Sequence, residues 1–135
     1  YQNFIDFVII ATQGDSKDFG DVSVTRKAAG GCSSSTRGVF AGGDTGSVTD
    51  TIDFITMATE GNATDFGNLS TSAQFLAGTS NSIRGVFNLG SAPGLVNTID
   101  FITISTTGNA SDFGDLTTAT RMCAPASDSH GGLTR

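Results

Sequence analysis

Three sets of evenly spaced Asp and Asn side chains have residue types and a spacing that could bind a metal ion. In each set the members stand three residues apart, and the sets are Asp15, Asp18 and Asp21, then Asn62, Asp65 and Asn68, then Asn109, Asp112 and Asp115. Calcium takes roughly six to eight oxygen ligands, which carboxylates and amides can supply. The alternative is an Asx-turn, in which such side chains bond nearby backbone amides while the central Phe clamps the loop. The spacing departs from the EF-hand pattern, and Asn lowers the charge of the second set. We therefore expect turns and no cofactor, with calcium as the alternative.

The tripeptide Asp-Phe-Gly in the middle of each set also holds magnesium in protein kinases. The glycine-rich loop, strand lysine and His-Arg-Asp sequence that accompany it there are missing from this sequence. "DFG" occurs instead at Asp18, Asp65 and Asp112, a constant step of 47 residues (65 − 18 and 112 − 65), and "IDF" keeps that step at Ile5, Ile52 and Ile99. A period of about 20 to 50 residues indicates a repeat architecture, in which each unit buries apolar surface against its neighbours.

The period divides the chain into units of approximately residues 4–50, 51–97 and 98–135, which we interpret as a single repeat region over residues 1–135. A further marker, "RGVF", begins at Arg37 and Arg84 and is due again at position 131, where the sequence reads Gly-Gly-Leu. The last unit is therefore divergent or incomplete. Because the sequence begins at Tyr1 in mid-pattern, we expect it to be the C-terminal part of a longer chain.

The composition predicts an all-β fold. Strand-forming Ile, Val, Phe and Thr alternate with turn-forming residues, among them 18 glycines, and we find no long helical pattern. No apolar run approaches the roughly 18 residues of a membrane span, and no basic stretch followed by an apolar core marks a leader. The net charge is −6 and the few Lys and Arg are scattered, so we expect neither nucleic-acid binding nor membrane insertion.

The second unit shows how one repeat is built. In "TIDFITMAT", residues 51–59, both alternating faces carry apolar side chains, which predicts a strand sandwiched between two layers. "GNATDFGN", residues 61–68, predicts a loop in which the glycines take positive φ and Phe66 fastens the loop to the core. Two apolar segments then follow, around Phe75-Leu76 and Val86-Phe87, and Gly90 ends the second, as Gly42-Gly43 does one unit earlier. Each unit thus offers up to four short strands.

This order of features resembles a kelch-type β-propeller blade. "RGVFAGG", residues 37–43, is similar to the strand that ends in a double glycine, "TIDFITMAT" to the next strand, and "NLSTS" to the connection toward the next blade, while Phe66 takes the place of the usual tryptophan. A narrower resemblance joins "TIDFITxxTxGNAxDFGxL", "SxxRGVFxxG" and the ending "SDSHGGL", residues 127–133, to repeat proteins of marine tailed bacteriophages, cyanophages in particular. The resemblance implies a virion structural protein, with "SDSHGGL" as a C-terminal ending.

Closure of such a fold needs more units than this chain contains. Propellers usually close with about four to eight blades, whereas the sequence supplies two full repeats and most of a third. We therefore expect preceding blades of the same protein or neighbouring subunits to complete a ring or stack. Stacked antiparallel meanders in a fibre are the alternative architecture.

The remaining polar residues favour structure over catalysis. Arg37 and Arg84 stand at equivalent positions, so we expect a hydrogen bond between repeats, to backbone or Asp, rather than a ligand contact. Cys32 and Cys123 stand at different positions of the repeat and lack the spacing of a zinc site. Free, packed thiols are expected there, with a disulfide as the alternative.

Two functional hypotheses follow. The first is a non-enzymatic virion component on the tail or capsid surface, such as a tail fibre or tail tip, that presents repeated loops to a neighbouring subunit or a host-surface glycan. The second is a soluble, extracellular, lectin-like propeller or, less favoured, a propeller enzyme. An enzyme would break the repeat with a unique cluster of His, Asp, Glu or Tyr, and the sequence has no such cluster.

Overall fold

Strand-forming segments alternate with glycine-rich turns along the chain, and the computed structural model accordingly has strands and no helix within residues 1–127, the part that it describes. The strands are β1 (Gln2–Phe7), β2 (Lys17–Arg26), β3 (Gly30–Ser33), β4 (Arg37–Ala41), β5 (Thr49–Thr56), β6 (Thr64–Ala73), β7 (Ala77–Ser80), β8 (Arg84–Asn88), β9 (Ser91–Ala92), β10 (Gly94–Leu95), β11 (Thr98–Thr103) and β12 (Ser111–Asp115). The all-β prediction is confirmed for these residues.

Three sheets follow one another along the chain. The first sheet pairs β1 with β2, the second has the order β3-β4-β5-β6, and the third has the order β7-β8-β11-β12. All pairings are antiparallel, and β9 with β10 forms a short separate hairpin. Each four-stranded sheet therefore combines strands of two successive sequence units: in the second sheet β3 and β4 lie in the unit of residues 4–50, and β6 lies in that of residues 51–97. The described residues do not close into a barrel or a propeller.

The hydrophobic core lies between neighbouring sheets. Strand β3 of the second sheet lies beside β7 of the third, and the core between these two sheets includes Val39, Ile52, Phe66, Phe87, Leu89, Ile102 and Ile104. A smaller cluster of Ile5, Phe19 and Ile55 joins the first sheet to the second. Ile52 and its neighbour Asp53 point to opposite faces of β5, and both are fully buried. The prediction of a strand covered on both faces is thus confirmed.

Each "DFG" lies in a strand and forms a β-bulge. In the pairing of β5 with β6, Gly67 lies opposite Ile52 and Asp65 opposite Asp53, so Phe66 is the extra residue. The first and third sheets repeat this bulge at Phe19 and Phe113. The glycine after each bulge has φ between 140° and 147°, a conformation that strains other residues. Phe66 is buried and packs edge-on against Phe54 at 5.9 Å, which confirms its predicted role in the core.

Two local predictions were wrong. The strand predicted over residues 51–59 ends at Thr56, because the chain turns there and the Thr59 N–H bonds back to the Thr56 carbonyl. The loop predicted over residues 61–68 is a loop only up to Ala63, since Thr64 already begins β6. The bulge at Phe66 lets strand pairing continue through a sequence that looks like a turn. The predicted ending "SDSHGGL" lies outside the described residues except for Ser127.

Candidate functional site

The candidate calcium ligands are exposed except for Asp21, which is partly buried, and the structure does not bring the members of each predicted set together. Asp15, Asp18, Asp65, Asp112 and Asp115 are exposed, as are the amides of the second and third sets. Contacts join members of different sets: the Asp21 N–H donates to Asn62 Oδ1 at 3.0 Å, and the Asn68 N–H donates to Asn109 Oδ1 at 3.1 Å. Within residues 1–127, no three His, Cys, Asp or Glu side chains lie close enough to hold a metal ion.

The Asx-turn interpretation therefore needs correction for the Asn side chains. Asn62 and Asn109 accept bonds from residues 41 positions earlier in the chain, so they link neighbouring sheets. A local bond of the predicted kind occurs in the third set, where the Gly114 N–H donates to Asp112 Oδ1 at 3.1 Å. The loops are thus repeat-to-repeat connectors, and we call the two complete sets of such contacts the first and second junctions, between the first and second sheets and between the second and third.

Backbone hydrogen bonds complete the loop contact at each junction. In the first, the N–H groups of Gly61 and Ala63 donate to the carbonyls of Phe19 and Asp21 at 2.8 and 2.7 Å. The second repeats this pattern, with Gly108 and Ala110 donating to Phe66 and Asn68 at 2.7 and 2.8 Å. Phe19 and Phe66 are the bulged residues, which have no partner in the pairing of their own sheet, and their carbonyls accept from the next sheet.

A buried carboxyl group forms a further contact in each junction. Asp53 accepts bonds from the Ser23 hydroxyl and N–H, and Asp100 accepts the same pair of bonds from Ser70, with a hydroxyl distance of 2.7 Å to Oδ1. Both Asp side chains are fully buried. A buried polar group without a partner is costly, so these serines stabilise the junctions.

The two junctions differ in the charge that faces the buried carboxyl group. In the first, Arg26 Nη2 lies 2.7 Å from Asp53 Oδ2, and both side chains are buried. Burial lowers the pKa of the Arg26 guanidinium, while the charge and hydrogen bond of Asp53 act in the opposite direction. In the second junction the residue equivalent to Arg26 is Ala73. No cation among residues 1–127 forms an ion pair with Asp100.

Arg37 spans the second junction. Its Nη1 donates to the Ile104 carbonyl at 2.8 Å, and its guanidinium lies over the Phe54 ring at 4.3 Å. This bond to the backbone at the end of β11 in the next sheet confirms the prediction for Arg37. Arg84 makes the equivalent stack on Phe101 at 4.8 Å.

Sequence reasoning missed the buried Asp53 and Asp100 and their serine partners. A signal was present, because Asp recurs inside the most apolar strand of every repeat, where a charged residue needs a dedicated partner. The partner itself lies 30 residues earlier, in a segment rich in Ser and Thr. Nothing in that segment distinguishes Ser23 or Ser70 from the hydroxyl residues around it.

The two cysteines are free thiols, as predicted. Cys32 is partly buried in β3, and this burial raises the pKa of its thiol to about 12. Cys123 Sγ accepts a hydrogen bond from Asn88 Nδ2 at 3.3 Å. The raised pKa makes the thiolate of Cys32 rarer still near neutral pH, which disfavours reaction as a nucleophile or metal ligand.

An apolar groove of about 680 Å³ lies between the first and second sheets. Its lining includes Ile5, Phe7, Phe19, Val39 and Ile55. It borders β1, which pairs with β2 on one side, whereas the equivalent β5 and β11 each pair on both sides within the described residues. The groove therefore marks the position at which the first sheet lacks the inner strands of the complete sheets.

Residues 1–127 contain no helix long and apolar enough to cross a membrane. The chain matches no protein-family model, and a search of curated proteins gives no match.

Proposed function

We propose that the chain is a non-enzymatic structural and recognition component of a virion, located on the tail or capsid surface, as in a tail fibre or tail tip. In this proposal its four-stranded sheets are kelch-like propeller blades, and other subunits or blades of the same protein complete the assembly. The placement in a virion rests on the resemblance of the repeat motifs to those of cyanophage structural proteins.

The observation that supports a structural role is that the recurring polar side chains form hydrogen bonds between neighbouring sheets. Hydrogen bonds between neighbouring sheets are formed by Asn62, Asp53 and Arg37, each of which is part of a repeated motif. Catalytic residues need polar groups that converge on a space where a substrate can bind. Here the same groups hold adjacent units in a fixed register, which is what a repeat scaffold requires.

Recognition would use what the scaffold leaves exposed. The tips of the turns after β5 and β11, residues 57–60 and 105–107, recur at equivalent positions outside the junction contacts, and they are exposed. Equivalent loops on a rigid scaffold bind a repetitive surface, such as a host glycan, through several weak contacts at once.

The test is to locate this polypeptide in purified phage particles by mass spectrometry of their proteins and by immunogold electron microscopy of intact virions. Peptides from this chain at the tail or capsid surface are expected. Averaged images of the labelled structure would separate a ring of blades from stacked meanders in a fibre. Absence from particles, together with a free protein that binds glycan arrays, would overturn the virion role in favour of a soluble lectin.

A further inference from the structure

Two faces of the structure, one at β12 and one at β1, carry residues equivalent to those that form the two internal junctions. The face at β12 has the Phe113 bulge, equivalent to Phe66, but Phe113 is 54% exposed whereas Phe66 is 3% exposed. A methyl group added to Gly67 would collide with the Gly108 carbonyl, while the space beside the equivalent Gly114 is empty among the described residues. The β12 face is therefore built like an internal junction and has no neighbour in residues 1–127.

The face at β1 carries the opposite half of the same contacts. Gly14, Asp15 and Ser16 stand where the second and third repeats have Gly-Asn-Ala, and all three are exposed. Asp6, equivalent to the buried Asp53 and Asp100, is exposed as well, and the hydroxyl of Ser16 on the same face donates to its Oδ2 at 3.2 Å. Ile10 is 96% exposed, although its counterpart in the third repeat, Ile104, is 1% exposed.

We propose that a second copy of this chain binds head to tail, with its β12 face on the β1 face of the first. The internal junctions supply the template for this interface, because each group on one face has its partner type on the other. This inference rests on the assembly of subunits in the proposed function and deepens it by naming a second copy as the partner. A chain that stays monomeric would overturn the inference, whereas absence from phage particles would overturn the virion role.

Shifting the internal contacts by one repeat gives the pairs expected between copies. The N–H groups of Gly14 and Ser16 would donate to the carbonyls of Phe113 and Asp115. The hydroxyl of Thr117, equivalent to Ser70, would donate to Asp6. The guanidinium of Arg84 would donate to the carbonyl of Ile10, as Arg37 does to that of Ile104.

One expected pair differs in charge from its internal counterparts. Asp15 stands where Asn62 and Asn109 stand, and it would accept the N–H of Asp115, whose own side chain is acidic. The like charges of these two residues weaken the contact. Asp15→Asn restores the internal sequence and is expected to tighten association about two- to fivefold.

Sedimentation velocity of the purified chain over a wide concentration range tests the proposal. The wild type is expected to form species larger than a monomer, either a discrete ring or a growing series. Ile10→Asp is expected to weaken association more than about tenfold, because it would bury an unpaired charge. Leu95→Asp is the matched control, since Leu95 is also exposed but has no counterpart in the junction contacts. Circular dichroism verifies that both variants are folded.

A mixing experiment tests the head-to-tail geometry. Ile10→Asp blocks the β1 face and leaves the β12 face intact, whereas Thr117→Asp blocks the β12 face by placing a carboxylate against Asp6. Each variant alone is expected to sediment as a monomer, and an equimolar mixture is expected to form dimers and nothing larger. A wild-type chain that stays monomeric at every concentration, or a mixture that does not dimerise, would overturn the proposal. So would dimerisation of either variant alone, which indicates a symmetric interface.

Discussion

The Ser70 hydroxyl donates to Asp100 Oδ1 at 2.7 Å across the second junction, and both Asp100 oxygens receive bonds from this one residue. Ser23 makes the same contact with Asp53 in the first junction, but there Arg26 contributes a further bond and a positive charge. The two junctions thus share the serine–aspartate contact but differ in the number of partners that the buried carboxyl group has. Variants can measure how much this difference contributes to the free energy of unfolding.

Ser70→Ala is expected to lower the free energy of unfolding by about 1–3 kcal/mol, because a fully buried carboxyl group loses its hydroxyl donor. Ser23→Ala is expected to cost less, since Arg26 still binds Asp53. Urea denaturation of the two variants and the wild type gives the comparison. A larger cost for Ser23→Ala would contradict the assignment of Arg26 as the additional partner.

Arg26→Met is expected to destabilise the chain by about 3–5 kcal/mol, because it removes one member of a buried ion pair and leaves the other unpaired. Adding Asp53→Asn to that variant removes the uncompensated charge and should recover part of the loss. The free energies of unfolding of the two single variants and the double variant form a double-mutant cycle. Strictly additive effects would show that the two side chains are not coupled.

Gly67→Ala and Gly114→Ala separate the backbone strain of the bulge from the closeness of the junction. Both glycines have positive φ, 144° and 140°, so both variants carry similar strain. Only at Gly67 does the added methyl group also meet the next repeat. Thermal unfolding at one low protein concentration is expected to show the larger loss for Gly67→Ala. Equal losses would mean that the junction adjusts without cost.

Alkaline pH is expected to destabilise the chain through Cys32. Its pKa is raised from 9.0 to about 12 in the folded state by burial, so folding retains a proton that the unfolded chain releases. The stabilisation is complete below pH of about 9 and is lost progressively as the pH rises toward about 12. Urea denaturation at several pH values in this window measures the slope. A Cys32→Ala variant should have a shallower slope, and an unchanged slope would assign the effect to other groups.

Much of the fold followed from local patterns. The period of the motifs located the repeats, alternation in "TIDFIT" predicted a strand covered on both faces, and the glycine positions predicted residues with positive φ. The exact strand ends were less predictable. Residues 64–68 look like a turn, yet they pair with β5 because a bulge at Phe66 absorbs the extra residue.

The sequence by itself determined the repeat period, the all-β class and the apolar residues of each unit, because these depend on propensity and spacing along the chain. Only the tertiary structure decided where the polar side chains bind. Asn62 finds its donor 41 residues away and Asp53 finds Ser23 30 residues away, and such partners are set by how one sheet packs on the next. For the same reason only the structure showed that Phe113 and Ile10 are exposed whereas their equivalents Phe66 and Ile104 are buried between sheets.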